Sequence, residues 1–167
     1  MAEITFKGNR VNTCGDLPKT GTKAGDFVLV NTDLEDVSLD DYSGRTLLLN
    51  IFPSLDTPVC AMSVRKFNSE ATELDGVTVL CISADLPFAH ARFCETQGIE
   101  NVENLSCFRS PEFGRDYGIE MVDGPLRGLL ARTVMVIDSD KKIAYVQLVP
   151  EITSEPDYED VLGFLDR

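Results

Sequence analysis

Of the five cysteines in the sequence, Cys14, Cys60, Cys81, Cys94 and Cys107, only Cys60 has neighbours that favour covalent chemistry. It follows Pro58 by two residues, at the start of a segment whose apolar residues recur with helical spacing. A cysteine in the first turn of a helix meets unpaired backbone N–H groups and the positive end of the macrodipole, and both favour the thiolate. Thr57 offers a hydroxyl that can donate to the sulfur or accept from an incoming O–H, and Pro53 can shield the site from bulk water. Such a set would perform nucleophilic attack by sulfur. The residues alone leave a second reading open, with Cys60 a small buried hydrophobe and Thr57 an ordinary helix cap.

Composition narrows the other possibilities. Five cysteines, an odd number, suit thiols kept in a reducing compartment better than a disulfide framework. No Cys-x-x-Cys occurs and His90 is the only histidine, so the paired ligands of a zinc or iron–sulfur site are missing and a dithiol reductase is disfavoured. Fifteen Lys and Arg against 28 Asp and Glu give a net charge of −13, which repels phosphate backbones and anionic lipid surfaces. Neither nucleic acid nor membrane is expected as a partner. No apolar run approaches the ~20 residues of a bilayer span, and the first residues lack the apolar core of a secretion signal, so a cytoplasmic location is expected. At 167 residues and 43% hydrophobic, a single domain over residues 1–167 is expected.

The elements that must position Cys60 follow from periodicity. A nearly continuous apolar run over 46–52 predicts a strand covered on both faces and stopped by Pro53. A loop over 54–57 leads into a helix over 58–74, with Val64, Phe67, Ala71 and Leu74 on one face and Gly76 at its end. A second buried strand over 77–83 precedes a helix over 88–97 closed by Gly98. A short strand near 105–108, a helical turn near 111–117, strands over 132–137 and 142–148, and an acidic helix over 157–165 complete the chain. Upstream, β-type runs at 3–7 and 27–30 predict a hairpin region. The order predicts an α/β architecture, a central mixed β-sheet flanked by helices, in the outline of a thioredoxin-like fold with an N-terminal β-hairpin extension. Phe88, Ala91 and Cys94 fall three apart and read as one packed helical face. Cys81, in mid-strand, reads as core filler.

The stretch Pro53-Ser54-Leu55-Asp56-Thr57-Pro58-Val59-Cys60 resembles the peroxiredoxin pattern of Pro, three residues, Thr or Ser, two residues, Cys. Asn50-Ile51-Phe52-Pro53-Ser54, Ser63-Val64-Arg65-Lys66-Phe67-Asn68, Cys81-Ile82-Ser83-Ala84-Asp85-Leu86-Pro87-Phe88-Ala89 and Arg92-Phe93-Cys94 are similar to the bacterial thiol peroxidase subfamily, an atypical two-cysteine branch. So is Glu151-Ile152-Thr153-Ser154-Glu155-Pro156-Asp157-Tyr158, and the resemblance spans almost the whole chain.

The resemblance implies a peroxidatic Cys60 that becomes a sulfenic acid, with Thr57 orienting the peroxide and Pro53 shielding the site. It makes Arg132, within Ala131-Arg132-Thr133-Val134, the guanidinium that stabilises the thiolate and the departing oxygen. By position alone Arg132 would be a charge at the sheet rim. Cys94 becomes the resolving thiol of an intramolecular Cys60–Cys94 disulfide. The two sulfurs start on different helices, and a disulfide needs Cα atoms within about 7 Å, so helix ends are expected to unwind in turnover. The resemblance further implies reduction by thioredoxin, no bound cofactor, a homodimer, and antioxidant defence directed more at organic hydroperoxides than at hydrogen peroxide. His90 reads as incidental, and Cys14 and Cys107 receive no role. A peroxide-sensing redox switch using the same disulfide is the alternative.

Overall fold

The two longest apolar runs become the paired central strands of the computed structural model, which describes residues 1–166. These strands, β5 (Thr46–Ile51) and β6 (Val77–Ser83), run parallel, and β5 also pairs antiparallel with β8 (Thr133–Ile137). With β3 (Val28–Val30), β4 (Asp36–Ser38), β7 (Glu103–Ser106) and β9 (Ile143–Leu148) they form a seven-stranded mixed sheet in the order β4-β3-β7-β6-β5-β8-β9. The helices are α1 (Pro58–Ala71), α2 (Pro87–Gln97), α3 (Glu112–Asp116) and α4 (Tyr158–Leu165). This is the expected thioredoxin-like α/β outline.

Pleating sorts the core. Leu47, Leu49 and Ile51 of β5 face one apolar cluster with Leu80, Ile82 and Phe113, while Leu48 faces the other with Val64, Phe67, Val134 and Val161. Helices α1 and α4 thus lie over one face of the sheet and α3 over the other, as continuous apolar strands require. Among the described residues no helix is long and apolar enough to cross a membrane.

Several expectations needed correction. The expected N-terminal hairpin is present, but it joins β1 (Glu3–Phe6) to β2 (Asn9–Asn12) and leaves out 27–30, where β3 turns back on β4 and joins the large sheet. Strands β2 and β4 carry Asn9, Arg10, Asn12, Asp36 and Ser38, so they lack the apolar alternation that marks a strand. Helix α1 ends at Ala71 rather than 74, because the Glu73 and Leu74 amides bond back to Glu70 and Ala71 in turns. Leu74 still packs on the core from outside the helix. The strand near 105–108 lies instead at Glu103–Ser106. Phe88 is not on a packed face: it is 67% exposed, and the buried residues of α2 are Pro87 and His90.

Candidate active site

The chain leaves the sheet just before Pro53, where the Phe52 amide makes a last bond to Ile82 O at 3.1 Å. Residues 54–57 form a turn, closed by Thr57 N–H to Ser54 O at 3.2 Å, and Pro58 opens α1. The first intrahelical bond there runs from Ala61 N–H to Thr57 O, so the Val59 and Cys60 amides have no acceptor within the helix. Cys60, third in the helix, is fully buried. Beneath it Ser63 Oγ donates to Cys60 O at 2.8 Å, and Asn50 Nδ2 of β5 donates to Ser63 Oγ at 3.2 Å. A central strand thereby fixes the helix start.

Thr57 occupies the N-cap position without acting as an ordinary cap. Its side chain makes no bond to a helix amide and donates instead to Ser54 O at 3.1 Å. With its one hydrogen so directed, the oxygen keeps its lone pairs for an incoming O–H.

Arg132 is not a rim charge, because it is only 1% exposed. Its Nε and Nη2 donate to Ile152 O at 2.9 and 2.8 Å, which pins the guanidinium plane. Nη1 has no hydrogen-bond partner among the described residues. An unpaired buried donor costs about 1–3 kcal/mol, and more when charged, so this N–H favours any anionic or oxygen acceptor that comes within reach.

Pro53, Thr57 and Arg132 line one cavity of about 380 Å³, together with Val59, the residue before Cys60. Phe6, Leu126 and Ile152 supply apolar wall. These three come from segments far apart in sequence, and only folding brings them together. Thr5 N–H bonds to Pro150 O at 2.8 Å and Ile152 N–H to Thr5 O at 2.9 Å, so the N-terminal hairpin is stitched to the segment that anchors Arg132. Glu151 reinforces the seam: the Thr153 and Gly8 amides hold its carboxyl down to about 2.

Cys94 does not share that cavity. It sits half-buried on α2 and lines a separate cavity of about 490 Å³ with Tyr42, Glu103 and Asn104. All five cysteines are free thiols. Burial raises the Cys94 thiol, pushes Cys81 up to about 12 and Cys107 up to about 11, so the last two are poor nucleophiles at neutral pH.

His90 has a structural place, being fully buried and bonded at both ring nitrogens, to Ser83 Oγ at 3.0 Å and Asn104 Nδ2 at 2.9 Å. Burial pushes it down to about 4 against the opposing pull of Asp85. The folded protein therefore keeps His90 neutral where the unfolded chain, titrating near 6.5, takes up a proton. Stability from this site is present above pH 6.5 and is lost as pH falls from there toward 4. Urea unfolding at pH 7 and pH 4 is expected to show a loss about 3 kcal/mol larger for the native chain than for His90→Gln. Equal losses would contradict this account.

Comparison with known proteins places this geometry among relatives. Residues 19–162 match the Redoxin family. The chain is 56% identical over 166 residues to the thiol peroxidase of Corynebacterium glutamicum, covering 99% of this chain and 100% of that one. It is 53% identical over 165 residues to the thiol peroxidase of Mycobacterium tuberculosis, covering 99% of each. The crystal structure of a peroxiredoxin-like protein from Aquifex aeolicus matches with a TM-score of 0.94 at 41% identity, over 99% of this chain and 96% of that one.

Proposed function

Because this chain belongs to the Redoxin family, with thiol peroxidases more than half identical to it along its length, we propose that it reduces hydroperoxides through a thiol cycle opened by Cys60. The Cys60 sulfur attacks the terminal oxygen of the hydroperoxide. The O–O bond breaks, an S–O bond forms, and the departing oxygen leaves with a proton as alcohol, or as water from hydrogen peroxide. Thr57 holds the peroxide through its free lone pairs, Arg132 Nη1 stabilises the charge on the departing oxygen, and Pro53 keeps water away. The single observation that carries this reading is that Arg132, whose Nη1 is buried and unpartnered, lines one cavity with Pro53 and Thr57 at the start of the Cys60 helix. The apolar wall favours organic hydroperoxides.

In the second step the Cys94 sulfur attacks the Cys60 sulfenic acid, forming an intramolecular disulfide and releasing water. A thioredoxin-type dithiol then returns both sulfurs to thiols. Cys60 is fully buried at the start of α1 and Cys94 is half-buried on α2, so α1 or α2 must open locally for the sulfurs to meet. The remaining parts of the reading are one catalytic domain over residues 1–167, a cytoplasmic role in antioxidant defence, and a homodimer. The exposed apolar side chains of Leu86 and Phe88 support the dimer.

Disulfide mapping of fully reduced protein treated with one equivalent of an organic hydroperoxide tests the cycle. The expected product is a Cys60–Cys94 bridge within one chain, with Cys14, Cys81 and Cys107 free. A bridge between chains would remove Cys94 from its role, and an unmodified Cys60 would end the enzyme reading.

A further inference from the structure

The carboxylate of Asp85 joins the elements that carry the two cysteines. It lies between β6 and α2 and accepts from three donors. On one side Ser54 Oγ donates to Oδ1 at 2.8 Å and Leu55 N–H to Oδ2 at 2.8 Å, and these two residues belong to the short turn between Pro53 and Thr57. On the other side Ser83 Oγ donates to Oδ2 at 2.6 Å. Ser83 has one hydroxyl hydrogen, and that short bond directs it at Asp85. Its contact with His90 Nε2 at 3.0 Å therefore requires the His90 hydrogen to sit on Nε2. Nδ1 is then the acceptor for Asn104 Nδ2 at 2.9 Å, even though this leaves Asn104 Oδ1 without a partner among the described residues. The chain has one direction, from Asn104 through His90 and Ser83 to Asp85, where the Ser54 and Leu55 donors also end.

Ser83 and His90 are fully buried and Asn104 nearly so, which leaves little water to replace a broken bond. His90 stands one helical turn before Cys94 on α2. An exposed ion pair, Arg92 to Asp56 at 4.0 Å, adds a weaker tie between the same two segments.

We propose that Asp85, Ser83 and His90 are positioning residues that lock the peroxide-binding turn to the helix carrying Cys94. The inference rests on the Cys60–Cys94 cycle set out above and assigns these residues control over the balance of its two steps. A closed network holds Thr57 and Pro53 in place for the first step. The same network must open before Cys94 can reach Cys60, so it delays the second step. During the delay the sulfenic acid is exposed to another hydroperoxide, which would transfer one oxygen to give a sulfinic acid and leave as alcohol.

Single-turnover kinetics with cumene hydroperoxide, quenched in acid and read by thiol labelling and mass spectrometry, separate sulfenic acid formation from disulfide formation. Ser54→Ala is expected to slow the first step about fivefold, the equivalent of one buried hydrogen bond. His90→Leu is expected to speed disulfide formation by about the same factor, with less sulfinic acid formed and a much smaller effect on the first step. Asp85→Asn should do both, and adding His90→Leu to it should bring no further gain in disulfide rate. His90→Gln, whose amide can donate to Ser83 Oγ, should return the rate toward that of the native chain. If His90→Leu does not fold, Asn104→Ala removes the same arm from its other end and is held to the same outcome. Disulfide formation that is unchanged or slower in these variants, or effects of Asp85→Asn and His90→Leu that multiply, would overturn the lock. Absence of the Cys60–Cys94 bridge in the native chain would instead overturn the cycle beneath it.

Discussion

Replacing Cys60 by serine is expected to lower hydroperoxide consumption by at least about 10⁴-fold while leaving the fold in place. A serine hydroxyl stays protonated at neutral pH and is a far weaker nucleophile toward peroxide oxygen than a thiolate. The substitution fits the space, since Cys60 is fully buried and its backbone carbonyl, not its sulfur, takes the bond from Ser63. Helix α1 should keep its Pro58 start and its anchor to Asn50. Peroxide loss in the presence of a thioredoxin system measures the first effect, and thermal unfolding checks the second. Activity within tenfold of the native chain would mean that another thiol attacks the peroxide. Cys81 and Cys107 are poor candidates because burial pushes them up to about 12 and about 11, which would leave Cys14 or Cys94, the two cysteines that are not fully buried.

The expectation for Cys60 could be formed from sequence because its determinants are local. A proline that stops a strand, a threonine, a proline that starts a helix and the cysteine itself lie within eight residues. Strands β5 and β6 were legible for a related reason, since burial on both faces writes itself as an unbroken apolar run. The edges were not legible. Strand β4 is held by three register pairs with β3 and has a polar composition, so its partner rather than its own pattern defines it. The apolar wall at the site joins Phe6, Leu126 and Ile152, and no spacing rule links positions so far apart. His90 shows the same limit. One histidine in a helix carries no sign of the Ser83 and Asn104 partners that two neighbouring strands bring to it. Thr57 reads from sequence as a cap or as a catalytic hydroxyl, and the bond to Ser54 O that only the folded turn provides removes the side-chain cap reading. Arg132 was identifiable as a residue of interest, yet its burial depends on Ile152, twenty positions later.

Arg132→Met is expected to lower the rate constant for Cys60 oxidation about 10²–10³-fold, the range for losing a donor aimed at developing charge. Arg132→Lys should recover little of that loss, although it keeps the positive charge. In the native chain Nε and Nη2 of the guanidinium grip Ile152 O while Nη1 stays buried and unpartnered, and Arg132 lines the cavity with Thr57 and Pro53. A lysine ammonium is a single point on a flexible stem. If it bonds to Ile152 O it leaves the cavity without a donor, and if it turns to the cavity it leaves a buried carbonyl unpaired. Urea unfolding should therefore show both variants destabilised by about 1–3 kcal/mol, the range for a buried polar group left without its partner. Single-turnover oxidation followed across peroxide concentrations tests the kinetic side. A lysine variant as fast as the native chain would mean that charge alone suffices, and the fixed fork on Ile152 would then serve the fold rather than the reaction.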